Sequence, residues 1–474
     1  VGIVAMVALL VAGLFSWPPG KSDQPPEPAH VVLHPGEGGL VLGVTHAQYS
    51  LDSWLTPGQR QSGEQILGAT PMLQNQHIMG FGVGNPEPAP GRYDWSRLDE
   101  RMDLIERTGG TPVITLCCAP DWMKGGAIGT TDWDNLAAAP LRAHFADFAR
   151  LAAQVAQRYP RVQYFQVWNE LKGFWNAARG NWDVAAYTDL YNQVYDAVKR
   201  VRPDARIGGP YVVLNSWSSP AATDHPSQLR GPYGVIDQRS LDVVTYWNEH
   251  KHGGDFVALD ASTGTRDKGL ITTPDKASQI YADATRWARG VTGLPVWWSE
   301  FYPDAKAPDT KAPDSKPPGG KAPDTTLPAG SAVTRSAVTR SAVTRSAGTT
   351  QAAPPVDQAR AVATLDAVAW AEEAGAAAML LWQPEASDDL PYAALWSEAL
   401  PGVDRLRPMS LTAAWTWLAP RLRARLVDVA RPANALQFST PHGKVTVNPR
   451  STPQLLRTGG GSLRLPPLAI LLPH

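Results

Sequence analysis

Two tetrapeptides, Val167-Trp168-Asn169-Glu170 and Trp297-Trp298-Ser299-Glu300, each close an apolar run with a carboxylate. A buried strand ends this way when the carboxylate faces a cleft. A lone Asn-Glu can serve as a helix cap or ion-pair partner, but two such endings, each behind tryptophan, favour converging carboxylates. In a parallel barrel both strand ends open on one face, the face that carries barrel active sites. Two carboxyl groups meeting there suit cleavage of a glycosidic bond. One holds a proton for the leaving oxygen, and the other stabilises or attacks the sugar carbon.

The elements that must position them are legible as alternating strand-like and helical stretches. Apolar runs at 39–45, 77–82, 111–117, 164–168, 206–210, 241–246, 295–299 and 377–382 read as strands. Between them, 94–108 carries Leu98, Met102 and Ile105 on one helical face, and 143–158 carries Phe145, Phe148, Leu151 and Val155. The stretches 187–201 and 358–374 follow the same period. The expected fold class is α/β, a (β/α)8 TIM barrel over 38–420. A doubly wound open sheet is the alternative, but no Gly-rich phosphate loop follows the first strand.

The barrel is interrupted at 304–355, where Lys-Ala-Pro-Asp recurs and Ser-Ala-Val-Thr-Arg repeats three times from Ser331 to Arg345. Without apolar periodicity this segment cannot bury surface, so a tolerated disordered insertion is expected, with an active-site lid as the functional alternative. After a last barrel helix at 411–418, strand-like runs at 426–429, 436–439 and 444–447 point to a small β-sheet within 421–474. The segment around 29–33 is expected to join that sheet.

Composition bounds the partners. Lys+Arg 43 against Asp+Glu 44 leaves a net charge of -1, which offers no global field for nucleic acid or an acidic membrane. Tryptophan (18) outnumbers phenylalanine (9), and indole faces stack on sugar rings as well as filling cores. Residues 1–17 are almost wholly apolar and precede Pro18-Pro19-Gly20, so 1–20 reads as a signal peptide or membrane anchor, with 21–37 an extension. An extracellular or cell-surface location is therefore expected. Cys117 and Cys118 are the only cysteines. A bond between neighbours needs strained geometry, so two buried thiols are expected, one facing into the barrel and one towards the helices.

Other strand ends add candidates for substrate contact. His46 closes the first strand, Trp122 follows the third and Trp382 ends the eighth. His77, at the start of the second expected strand, faces away from the site and reads as structural. His250-Lys251-His252-Gly253-Gly254-Asp255 matches no metal-ligand spacing and reads as an exposed loop after strand six. Lys172 and Lys251 are candidates to meet a uronic acid carboxylate.

With the strands so placed, the chain resembles the clan of retaining (β/α)8 glycosidases, glycoside hydrolase clan A. Within it, the sequence is similar to glycoside hydrolase family 39, the β-xylosidase and α-L-iduronidase family. The similarity lies in His77-Ile-Met-Gly-Phe-Gly, Tyr93-Asp94-Trp95, Leu98-Asp99 and Pro120-Asp121-Trp122-Met123, together with the two glutamate endings. One departure is that Leu171-Lys172-Gly173 follows Asn169-Glu170, where the family usually has proline. The resemblance implies that Glu170 is the acid/base and Glu300 the nucleophile, with net retention. Asn169 would hold the sugar 2-hydroxyl, and Trp382 would stack on the sugar.

The physics agrees if the carboxyls lie about 5–5.5 Å apart. Glu170 should have a raised pKa through the apolar surroundings of Trp168 and Trp175, and Glu300 should stay ionised by accepting hydrogen bonds. Tyr246, at the end of expected strand six, is the candidate donor, with Trp247 or His250 in its place. The implied function is a retaining, xylosidase-like hydrolase of β-linked oligo- or polysaccharide, needing no cofactor and no metal. Its alternatives are a non-catalytic carbohydrate-binding barrel and an exopolysaccharide-assembly protein tethered through 1–17.

Overall fold

The computed structural model describes residues 31–305, 355–387, 392–450, 453–458, 461–466 and 468–473. The expected leader at 1–20 and the repeats at 306–354 lie outside the described residues. Eight strands close a parallel barrel: β1 (Val41–Thr45), β2 (Leu73–His77), β3 (Thr111–Leu116), β4 (Tyr164–Val167), β5 (Arg206–Val213), β6 (Phe256–Ser262), β7 (Val296–Tyr302) and β8 (Ala378–Trp382). Each pairs with the next in sequence, and β8 returns to β1 with Val41 opposite Ala378 and Thr45 opposite Trp382. Around them run helices α1 (Pro57–Leu67), α2 (Ser96–Arg107), α3 (Phe145–Arg158), α4 (Val184–Val201), α5 (Gln238–His250), α6 (Gln279–Thr292), α7 (Pro355–Glu373) and α8 (Thr412–Arg423). The expected TIM barrel is therefore observed.

Local chemistry explains the helix ends. Thr56 caps α1 in a reciprocal box with Gln59, followed by proline at the first helical position. Asp183 accepts from Ala186 N at the start of α4, and Gly293 in the left-handed region ends α6. Helix α3 buries Phe145, Phe148, Leu151 and Val155 against the barrel, the stripe its sequence period announces.

The barrel interior is layered. Its floor holds Tyr164, Phe256 and Trp297, with Phe256 stacked on Trp297 at 4.1 Å between ring centroids. Leu33 plugs this end, its backbone N–H donating to Thr111 Oγ1 at 3.0 Å. The segment near residues 31–34 thus seals the bottom of the barrel instead of joining the C-terminal sheet, because Leu33 finds more apolar surface there.

Above the floor lies a polar layer. Asn75 donates to Thr45 Oγ1, Thr115 donates to Asn75, and Gln166 donates to Thr115 Oγ1. Ser299 donates to Gln166, and Thr45 Oγ1 donates to the Ser299 carbonyl at 3.1 Å, which closes the circuit.

Two expected strands were misplaced. The second strand is Leu73–His77, not 77–82. Its Leu-Gln-Asn-Gln-His sequence escapes a hydropathy reading because polar side chains are accommodated inside the molecule, Asn75 in the polar layer and Gln74 on Thr108. The run 241–246 belongs to helix α5, capped by Asp237 and burying Leu241, Val244 and Trp247 at helical spacing. The sixth strand is Phe256–Ser262. The His250–Asp255 stretch consequently leads into the bottom of β6, opposite the site. There His252 pairs with Asp196, His250 stacks on Tyr246 and Lys251 reaches Asn248, so Lys251 faces no sugar cleft. The two cysteines are joined in a disulfide across a cis peptide bond rather than held as free thiols, the neighbouring geometry being reached with Cα atoms 3.0 Å apart.

Beyond α8, strands β9 (Asp428–Ala430), β10 (Leu436–Thr440), β11 (Gly443–Val447) and a short β14 (Ile470–Leu471) form an antiparallel sheet. Strands β12 (Gln454–Thr458) and β13 (Gly461–Leu465) form a hairpin beside it. Leu436, Phe438, Val445 and Val447 continue the apolar core of the barrel. Arg431 lies over the Trp370 ring at 3.8 Å and ties the sheet to α7.

Replacing Gln166 by leucine keeps the volume but opens the polar circuit, leaving the Ser299 hydroxyl without its acceptor. The expected loss is about 1–3 kcal/mol, read as a lower urea midpoint at unchanged slope. A midpoint equal to wild type would show that the circuit is dispensable.

Candidate active site

Each carboxylate-bearing strand reaches the mouth of the barrel through a local departure from regular backbone. After β4 the chain turns sharply, with Trp168, Glu170 and Leu171 all at positive φ (71°, 51° and 50°). The turn is held by Lys172 N donating to Asn169 O and by the Trp168 indole donating to Lys172 O at 2.7 Å. Non-glycine residues persist in this region only where their surroundings over-determine them, which is common at functional sites.

On β7 a bulge does the equivalent work. Pairing with β6 jumps from Leu259↔Trp298 to Asp260↔Glu300, so Ser299 is the extra residue. Ser299 and Glu300 therefore both face inward, which strict alternation forbids. A matching irregularity between β5 and β6 skips Tyr211 (φ 52°) and turns its ring inward. Asp260 arrives by ordinary alternation, two residues beyond inward Ala258.

These devices bring Glu170, Asp260 and Glu300 together, with one carboxylate oxygen of each within 4.8 Å of the others. Lys172 forms an ion pair with Glu170. Tyr211 and Tyr302 donate to the two oxygens of Glu300. Among the described residues this is the one group of acidic, histidine or cysteine side chains close enough to hold a metal ion, and the Lys172 ammonium already supplies it with positive charge.

Burial and mutual repulsion set the proton positions. Burial pushes Glu300 up, as does the Glu170 charge, while Lys172 and the two tyrosines oppose, leaving it at about 8. Asp260 is raised well above the carboxylate range by burial and by both glutamates. Burial also pushes Glu170 upward, but the Lys172 charge and hydrogen bonds from Asp260 and Lys172 outweigh it, so its carboxyl lies below the ordinary value. In the ligand-free cluster, protonated Asp260 donates to ionised Glu170, and Glu300 keeps a proton to about pH 8. The expectation that aromatic surroundings raise Glu170 is corrected: the lysine that follows it decides.

The other expected residues divide cleanly. Trp382 lines the mouth, edge-on to Phe81 at 5.5 Å and to His77 at 6.5 Å. Asn169 is buried beside His77, with its side chain facing the imidazole. His77 is not a remote structural residue. It ends β2 at the site, fully buried, and is held neutral by burial and by Lys172, its pKa lowered to about 3.

His46 points the other way, bonding Gln74 at 3.0 Å near Arg101 of α2. It follows inward Thr45, so alternation carries it to the helix side. Trp122 donates to Glu87 O and meets His144 edge-on, which anchors loops and does not reach the carboxylates. Tyr246 lies on α5 against His250, so Tyr211 and Tyr302 take the role expected of it. Neither Trp247 nor His250 replaces it, since Trp247 is buried against Tyr191.

Asp260, Tyr211 and Tyr302 were missed. Phe256-Val-Ala-Leu-Asp260 carries the same apolar-run-then-carboxylate signature as the other two strands and marks the residue once β6 is placed. No pattern announces Tyr211, whose inward turn is a product of the bulge.

No protein-family model matches the chain. A β-xylosidase from Caldicellulosiruptor saccharolyticus is 24% identical over 135 residues, covering 26% of this chain and 26% of the relative. That match spans about a quarter of the relative's length. A conserved exported protein from Bacteroides fragilis aligns with TM-score 0.54 and 12% identity over 92% of this chain and 97% of its own. A GH39 enzyme from Xanthomonas axonopodis pv. citri aligns with TM-score 0.48 and 17% identity over 90% and 77%. The likeness is one of fold. No helix among the described residues is long and apolar enough to cross a membrane.

The site makes stability depend on pH in a defined sense. Glu300 rises from 4.5 to about 8 on folding, so folding favours its protonated form. Its contribution is complete below about pH 4.5 and is lost as pH climbs through 8. Thermal unfolding across that window should show wild type losing stability relative to Glu300→Gln, which stays neutral throughout. Parallel curves for the two proteins would refute the buried proton.

Proposed function

We propose that this protein is a retaining glycoside hydrolase of the family 39 type, with Glu170 as acid/base and Glu300 as nucleophile. The observation that carries the reading is the approach of these two carboxylates to within 4.8 Å at the C-terminal mouth of the barrel. Retaining enzymes place their pair about 5–5.5 Å apart for direct attack, whereas inverting enzymes need roughly 6.5–9.5 Å to admit a water. The partial similarity to a β-xylosidase supports a β-linked, xylosidase-like substrate. The apolar stretch at 1–17 supports export or a cell-surface location.

Such a reaction needs one proton between the two glutamates, carried by Glu170, with Glu300 ionised. The resting cluster holds it the other way round because Lys172 neutralises Glu170. A glycosidic oxygen that displaces the ammonium from Glu170 reverses this preference, and the proton passes to Glu170. Glu300, relieved of the Glu170 charge and supported by the Tyr211 and Tyr302 hydroxyls, attacks the anomeric carbon while Glu170 gives its proton to the leaving oxygen. Water deprotonated by Glu170 then releases the sugar with its configuration retained. In this reading Asn169 meets the sugar hydroxyl next to the reacting carbon, and Trp382 supports the ring.

Wild type, Glu300→Gln and Glu170→Gln are to be assayed on aryl β-xyloside, glucoside, galactoside and arabinoside, with polysaccharide digestion alongside. Turnover by wild type with a β-configured first product is expected. Glu300→Gln should be inactive and folded, and Glu170→Gln reduced by about 10²–10⁴-fold on poor leaving groups. An active Glu300→Gln would sink the assignment.

Lys172→Met removes a cation that lowers both glutamates, so the pH profile of kcat/KM should move to higher pH. An unmoved profile would take Lys172 out of the proton arrangement.

A further inference from the structure

Beside Glu170 the barrel mouth opens into a cleft of about 370 Å³. Its walls include Trp175, Trp182 and Trp217, and it touches Glu170 and Lys172 but not Glu300. In a retaining pair the acid/base meets the departing oxygen and the nucleophile meets the ring carbon. A cleft that borders only Glu170 is therefore on the leaving-group side.

The walls are stapled together before any ligand arrives. Trp175 and Trp182 face each other in a two-stranded hairpin, their centroids 5.1 Å apart and their planes nearly perpendicular. Arg239 lies over the Trp175 ring, donates to Gly180 O at 2.6 Å, and pairs through Nε and one terminal nitrogen with both oxygens of Asp237. Asp237 also accepts from the Trp217 indole at 3.2 Å. Arg239 is thus consumed by structure, and Lys172 by Glu170.

Arg266 is different. Its backbone is fixed, with its N–H on Ser216 O at 2.8 Å and a tight turn closed between Thr265 and Gly269. Its half-buried guanidinium lines the cleft and has no carboxylate partner among the described residues. The adjacent acid, Asp267, is taken by the backbone and hydroxyl of Ser218. A half-buried guanidinium without an anion, in a cleft walled by indoles, lacks the planar oxyanion that its fork matches.

We propose that this cleft binds a uronic acid residue on the leaving-group side of the cleaved bond, its carboxylate paired with Arg266 and its ring against the tryptophans. The inference rests on Glu170 being the acid/base, which alone gives the cleft its side. An acidic sugar here makes Arg266 a specificity residue and predicts that the substrate is an acidic polymer or an oligosaccharide derived from one.

The test separates binding from turnover. Full-length wild type, Arg266→Ala and Arg266→Lys are titrated calorimetrically with tetragalacturonate, tetraglucuronate and tetramannuronate, and with the corresponding neutral tetramers of galactose, glucose and mannose. The expected result is that at least one acidic tetramer binds wild type tenfold or more tightly than its neutral counterpart. That preference should weaken with salt, vanish in Arg266→Ala and survive in part in Arg266→Lys. Binding of the neutral tetramers should be the same in all three proteins, which also checks that the variants fold. No acidic preference in wild type, or one that Arg266→Ala leaves intact, overturns the proposal. Acidic preference without hydrolysis of the bound tetramer by wild type would count against the catalytic reading alone, leaving the binding site in place.

Discussion

Three carboxyl groups crowd around a single ammonium in the buried mouth of the barrel, and most of the molecule's irregularities follow from that arrangement. Like charges this close cannot all ionise in a medium that solvates them poorly. Asp260 meets the constraint by holding a proton, Glu170 by pairing with Lys172, and Glu300 by accepting two tyrosine hydroxyls while retaining a proton to about pH 8. Asp260 arrives by ordinary alternation, but Glu170, Glu300 and Tyr211 are side chains that regular backbone would not deliver. Hence the left-handed residues after β4 and the bulges on β5 and β7.

The layers beneath supply rigidity. An apolar floor of Tyr164, Phe256 and Trp297 resists compression, and the polar circuit above it ties five strands directly under the carboxylates. A loose circuit would let the strand ends drift, and direct attack tolerates little drift, because misplacing reacting groups by about 1 Å costs orders of magnitude in rate. Polar side chains inside a barrel are costly unless every partner is present. Thr45, Asn75, Thr115, Gln166 and Ser299 meet one another, so this layer stabilises the mouth while leaving it open to charged groups.

Lys172 shows how one residue just beyond Asn169-Glu170 redirects the electrostatics of the glutamate. A carboxylate in an aromatic pocket gains a high pKa by desolvation, and Glu170 does feel that effect. The ammonium two residues on overrides it, which moves the resting proton to Glu300. The neighbouring cleft repeats the theme with opposite outcome: Arg239 is spent on Asp237, whereas Arg266 is left for a ligand.

Much of this was legible in the residues alone. The alternation of apolar runs with amphipathic stretches is a short-range property, and it sufficed for the barrel, for six of its strands and for Glu170 and Glu300 at strand ends. Trp382 followed from its place at the end of β8. It failed where local pattern and tertiary setting disagree. Leu73–His77 is too polar to read as a strand until the interior circuit that satisfies it is known, and this concealed that His77 ends at the site. The β-branched run at 241–246 favours a strand locally, but the Asp237 cap and the burial of Leu241, Val244 and Trp247 make it helix, and that error hid Asp260. Which face a residue takes next to a bulge, as for Tyr211 and Glu300, depends on pairing with another strand. Which cation is spent depends on proximity in space, with Arg450 meeting Asp275 across the chain while Lys172 and Arg239 meet acids two positions away. Sequence determined the architecture and the two glutamates that meet at the barrel mouth because periodicity and residue type are local; the proton positions, the tyrosine donors and the unpaired Arg266 were decided only by the tertiary structure, because electrostatics in a buried site depends on everything that surrounds it.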